Sequence, residues 1–90
     1  MEERIYYTEK RDKLLNDEDL KRRGFELESG KTLGSDKSGT FFLIRAEKEF
    51  FDKSEVLKKE AEQVKGKEKE KLLAKFAELK EDVAFGVGLL

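Results

Sequence analysis

Cysteine and histidine are both absent from this chain of 90 residues. The first absence removes disulfides, thiolate nucleophiles and every cysteine-ligated zinc or iron–sulfur site. The second removes His-ligated zinc and imidazole proton transfer near neutral pH, and together they exclude Ser-His-Asp and Cys-His triads. The chain is therefore expected not to be an enzyme and to need no cofactor or metal. Proline is missing too, Asn16 and Gln63 are the lone amides, and methionine occurs only at position 1. So few thermolabile side chains beside abundant Lys and Glu fit a thermophile, although thermophile loops often gain proline.

Long apolar runs are lacking as well. Nothing approaches the roughly 20 apolar residues that cross a bilayer, and Met1-Glu2-Glu3-Arg4 has neither region of a signal peptide. The expectation is a cytoplasmic protein with no membrane partner. Charge of one sign is also scarce: 46% of residues are charged, yet the formal net charge is -1. Interspersed signs give no broad field to attract nucleic acid or anionic lipid. Residues 1–90 are expected to form a single domain, because the length is too short for two cores. Such a chain buries only roughly 60 to 65% of its unfolded surface, so its core is used efficiently or shared with a partner.

Residues 4–8 are aromatic and β-branched and read as a strand, with Ile5 and Tyr7 on one face and Tyr6 on the other. After a polar stretch, Asn16 has the place of a helix N-cap, with Leu15 and Leu20 as a hydrophobic staple and Asp17, Glu18 and Asp19 at the positive end of the dipole. Lys21, Arg22 and Arg23 suit the last turn, and Gly24 the position beyond it. Phe25-Glu26-Leu27-Glu28, a turn at Ser29-Gly30, and Lys31-Thr32-Leu33 predict a small hairpin. Residues 34–39 have turn chemistry and no apolar anchor, which predicts a mobile loop. Residues 40–46 are apolar on both faces and predict a central strand covered on each side.

Asp52 as cap, Glu55 at the third helical position and the Phe51/Val56 staple predict a helix start. From there Leu57, Ala61, Val64, Leu72, Phe76, Leu79 and Val83 follow steps of three and four, broadened by Leu73 and Ala77, with Gly66 dividing the run into two helical pieces. Residues 83–90 alternate Phe85, Val87 and Leu89 against Ala84, Gly86 and Gly88. That reads as a terminal strand whose bare face admits close approach, and whose adhesive edge, Phe85, Val87, Leu89 and Leu90, suits pairing with a second copy.

Gly30-Lys31-Thr32 fails as a P-loop, because the glycine required five residues earlier is Phe25. Lys21, Arg22, Arg23, Lys31 and Lys37 are the candidate phosphate or nucleic-acid contacts, should the first helix pack beside the hairpin, but Glu26, Glu28 and Asp36 lie among them and no aromatic residue interleaves for base stacking. The acids Asp17, Glu18, Asp19 and Glu47, Glu49, Asp52 lack the spacing and glycine of a calcium loop. The segment Asp19-Leu20-Lys21-Arg22-Arg23-Gly24-Phe25-Glu26-Leu27, with Gly30 and Gly34-Ser35-Asp36, resembles the helix-to-strand step in the catalytic domain of archaeal tRNA-splicing endonucleases, over less than a quarter of the chain. That family works through a Tyr, a His and a Lys. Here there is no histidine and no tyrosine after Asp36, so the resemblance implies a non-catalytic relative.

The expected fold is α+β, a small mixed sheet of about four or five strands with one short helix and one long or broken helix packed on one face. The expected role is a non-catalytic interaction module, acting as a homo-oligomer or as a subunit of a larger assembly. The alternative is an accessory protein that contacts nucleic acid through its basic residues.

Overall fold

The strand expected near the N-terminus forms as β1 (Glu2–Thr8), and the apolar run 40–46 forms its antiparallel neighbour β3 (Thr40–Ala46). The computed structural model describes residues 1–89, with side chains through Leu79. The remaining elements are α1 (Arg11–Leu15), α2 (Glu18–Arg23), β2 (Glu26–Ser29), α3 (Lys48–Lys53), α4 (Glu55–Glu60), β4 (Glu62–Val64) and α5 (Gly66–Leu89). The fold is α+β, around one four-stranded sheet of order β2-β3-β1-β4. All three pairings are antiparallel, so the sheet is not mixed. Chain order and strand order together are those of the split β-α-β, or ferredoxin-like, arrangement, with α1–α2 and α3–α4 as its helical connections and α5 added.

Strand alternation sorts the core into two layers. On one face Tyr6, Phe42, Ile44 and Ala46 pack with Leu14, Leu20, Phe51 and Leu57, one residue from each of the four short helices. On the other, Ile5, Phe41, Leu43 and Val64 pack with Leu33 and with Leu72 and Phe76 of α5. The long helix and the short ones therefore lie on opposite faces rather than together on one. The cause is β3: Phe41 and Leu43 point one way and Phe42 and Ile44 the other, all essentially buried, and neither set tolerates water.

Several local expectations are corrected. The polar stretch before Asn16 contains α1, anchored by the fully buried Leu14. The cap of α2 is Asp17, whose carboxylate accepts from the Leu20 backbone N–H at 3.0 Å, while Asn16 closes α1. Residues 31–33 form no hairpin arm. The Ser29 hydroxyl accepts the Thr32 N–H at 3.1 Å and the Ser29 carbonyl accepts the Leu33 N–H, so the chain curls and drops Leu33 into the core. Strand β2 pairs instead with β3. Asp52 lies inside α3, and Ser54 is the residue between α3 and α4.

The helical run past Leu57 is interrupted not at Gly66 alone but by β4, which pairs with the free edge of β1 through Ile5–Val64. Ala61 is already extended, at φ -143° and ψ 162°. A left-handed Gly66, φ +69°, then turns the chain into α5. Helix α5 continues to Leu89, so the terminal strand expected over 83–90 is helical as far as Leu89; Leu90 lies outside the described residues. Helix formation propagates cheaply from the Lys/Glu/Leu-rich turns upstream, and over Ile5–Tyr7 both edges of β1 are already paired.

The segment 34–39 is tied down by hydrogen bonds rather than by apolar contacts. The Tyr7 hydroxyl accepts the Gly39 N–H at 2.9 Å, Gly30 donates to the Gly39 carbonyl at 2.8 Å, and Ser35 donates to the Gly30 carbonyl at 2.8 Å. Lys37 spans the Tyr7 ring, 4.9 Å from its centroid, and reaches Glu68 of α5 at 3.6 Å.

Candidate functional site

The candidate basic residues fall into two groups at opposite ends of the sheet. Lys21, Arg22 and Arg23 end α2 just before β2, where Arg23 donates through Nε to the Arg45 carbonyl at 3.1 Å. Lys31 and Lys37 lie past the other end of β2, in the connection to Thr40, about 10 Å of strand away. The single basic face expected of all five is not assembled. Lys21 and Arg22 each approach an acid of their own helix, Glu18 and Asp19, at 3.9 Å, and Lys37 is engaged with Glu68.

At the same end of the sheet Arg45 joins three strands. It meets Glu3 of β1 at 2.6 Å and Glu26 of β2 at 2.8 Å. These two hydrogen bonds, that to Glu3 the stronger, hold its guanidinium above its ordinary basicity. Arg4 is raised too, first by its bond to the Tyr6 hydroxyl and then by Glu2, and it lies 4.4 Å over the Phe51 ring. Both arginines are structural clamps.

The clefts on the described surface include three of a few hundred cubic ångström. One, of about 320 Å³, is lined by Thr8, Lys10, Glu60 and Glu62. Its groups largely satisfy one another: the Thr8 hydroxyl donates to the Glu60 carbonyl at 2.7 Å and accepts from the Lys10 N–H at 2.9 Å. The enclosed Glu60 Oε2 has no hydrogen bond but has Lys10 Nζ at 3.5 Å, an ion pair that accounts for its burial. A second, of about 580 Å³, runs between residues 33–36 and α5 and sets Asp36, Glu68 and Glu78 against Lys71 and Lys75, so its lining is slightly acidic.

The third, of about 360 Å³, is bounded by Asp19, Arg22 and Arg23 of α2 and by Phe50, Lys53 and Ser54 at the α3–α4 junction. It holds three cations and one acid. Ser54 is 8% exposed, and its Oγ is enclosed without a hydrogen-bond partner. Of these three clefts it is the one with a net positive lining.

The chain matches no family model, no curated protein and no solved structure. The partial resemblance to tRNA-splicing endonucleases thus gains no family match, and connectivity alone carries no function.

Of the candidate interface residues, Phe85, Val87 and Leu89 lie on the helical backbone of α5, and Leu90 lies beyond the described residues. A helical backbone does not alternate them between two faces as the expected strand would. No group of three or more potential metal ligands comes together among the described residues. Lys53, Ser54 and Phe50 were missed as a site because Arg22 and Arg23 lie some thirty positions away in sequence. A Lys-Ser pair before a helix carries no signal of its own; the partner that gives it meaning is supplied by packing.

Proposed function

We propose that the protein is a non-catalytic interaction module that assembles with a second copy of itself through the last two turns of α5. One observation carries this reading. Helix α5 has 24 residues, about 36 Å of helix, whereas β1 and β3 have seven residues each, about 23 Å of strand. The helix is longer than the sheet it covers by about two turns. The last two turns of α5 hold residues 83–89, which include no charge and no hydrogen-bonding side chain. An apolar, uncharged helical stretch in a chain this small favours a shared interface, and a second copy supplies the same stripe by two-fold symmetry.

The non-catalytic part of the reading is supported by how the hydroxyls are used. Those of Tyr7, Thr8, Ser29 and Thr32 are each committed to a hydrogen bond within the fold. Sedimentation from micromolar to near-millimolar concentration is expected to show a monomer–dimer equilibrium, shifted to monomer by Phe85→Asp. A wild-type protein that stays monomeric at the top of that range would overturn the proposal.

A further inference from the structure

We infer that the cleft between α2 and the α3–α4 junction binds a phosphate monoester dianion, held by Arg22, Arg23, Lys53 and the Ser54 hydroxyl. This does not rest on self-assembly through α5. In the other two clefts acids outnumber bases, but here three cations face one carboxylate across about 360 Å³, within the range of small-ligand sites. Two of the cations are arginines, whose planar forks match the oxygens of a phosphate.

The arginines are placed differently, and each placement suits the task. Arg23 is oriented by its Nε bond to the Arg45 carbonyl and by a contact of Nη2 with the Met1 sulfur, which leaves Nη1 to a ligand. Arg22 is 80% exposed and approaches Asp19 only at 3.9 Å, beyond hydrogen-bond distance, so a phosphate oxygen can replace that carboxylate. Lys53 forms no ion pair among the described residues.

Ser54 supplies the independent observation. It precedes α4 yet its side chain makes no capping bond, and its backbone N–H is already shared between the Phe50 and Phe51 carbonyls. The enclosed hydroxyl is left with nothing. Buried polar groups in native proteins are nearly all satisfied, and one that is not, in the wall of a cationic cleft, points to a ligand that satisfies it. To meet a ligand in the cleft the oxygen must turn about its Cα–Cβ bond to another staggered well. Phe50, half-buried in the same wall, lowers the local polarity and strengthens the charge contacts. With a formal charge of -1 for the whole chain and with Lys31 and Lys37 at the far end of the sheet, there is no track for a polyanion, which favours one terminal or free phosphate over the middle of a strand.

The test is an NMR titration of the full chain at low ionic strength with AMP, inorganic phosphate and, as the phosphate-free control, adenosine. AMP and phosphate are expected to shift the amides of Arg22, Arg23, Lys53 and Ser54, and adenosine to leave them in place. Arg22→Ala and Lys53→Ala should each weaken AMP by roughly tenfold, Asp19→Asn should tighten it, and Lys31→Ala should do neither. Ser54→Ala should weaken AMP several-fold while Tm stays level or rises, an outcome that a purely structural hydroxyl would not give. A 5′-phosphorylated oligonucleotide that shifts these amides, when its 5′-hydroxyl twin does not, places the monoester on a nucleic-acid end; a response to AMP without one to the oligonucleotide places it on a free small molecule. Silence of the four amides at tens of millimolar AMP, or an equal response to adenosine, overturns the inference.

Discussion

At Gly39 a side chain has no room. A Cβ there would collide with the Thr8 carbonyl oxygen and lie 2.7 Å from the Tyr7 hydroxyl, the group that accepts the Gly39 N–H. Gly39→Ala is expected to cost about 2 kcal/mol by overpacking. Tyr7→Phe, which leaves that N–H without its partner, should cost about 1 kcal/mol. Urea denaturation of the two variants and their combination tests this, and because both act on one contact the double variant should lose less than the sum. At Arg45 the balance is electrostatic. Its side chain is 44% exposed, so screening holds the worth of its two ion pairs to about 1 kcal/mol, and Arg45→Met should lose that at low salt and less in concentrated salt. The folded-state pKa of Arg45 is raised, so the cation's contribution is complete below its unfolded value and lost only on passing the folded one. Melting curves from neutral pH into the moderately alkaline range should therefore show no loss of stability that Arg45→Met removes.

Among the elements, what could be read in advance followed strict periodicity. The alternation of Ile5 and Tyr7 against Tyr6 and the doubly apolar 40–46 run placed β1 and β3 and their two-sided burial. Caps were legible to within a residue or two. Asn16 and Asp17 are both good caps, and only the Asp17–Leu20 bond separates them. Asp17→Ala should accordingly cost about 1 kcal/mol and Asn16→Ala much less, by chemical denaturation. β4 was illegible for a different reason. Ala61 and Val64 fit the helical stripe as well as they fit a strand, and the deciding partner, Ile5, is almost sixty positions away. The same holds for the candidate phosphate cleft: Arg22 and Arg23 stood out as bases, but nothing local pairs them with Lys53 and Ser54. The C-terminal alternation misled in the opposite sense, since a period of two in a glycine-containing stretch yields to helix propagation from α5.

For the whole molecule, the division of helices between two faces leaves each layer thin, with a small set of large buried side chains on either side of β3. A small domain of this kind gains much from any further apolar burial. If α5 joins two copies, folding and association are linked, and Tm should rise with protein concentration in the wild type but not in Phe85→Asp. Calorimetry over a broad concentration range reads this directly, and a Tm independent of concentration would speak against the dimer.

The sheet order has one more effect. The two seven-residue strands are internal, and the strands on the rims have four residues and three. An incoming extended peptide thus finds only a brief stretch of open backbone to zip onto, with Glu26, Glu28 and Glu62 along it. Fibril seeding from the native state is disfavoured by that economy of margin.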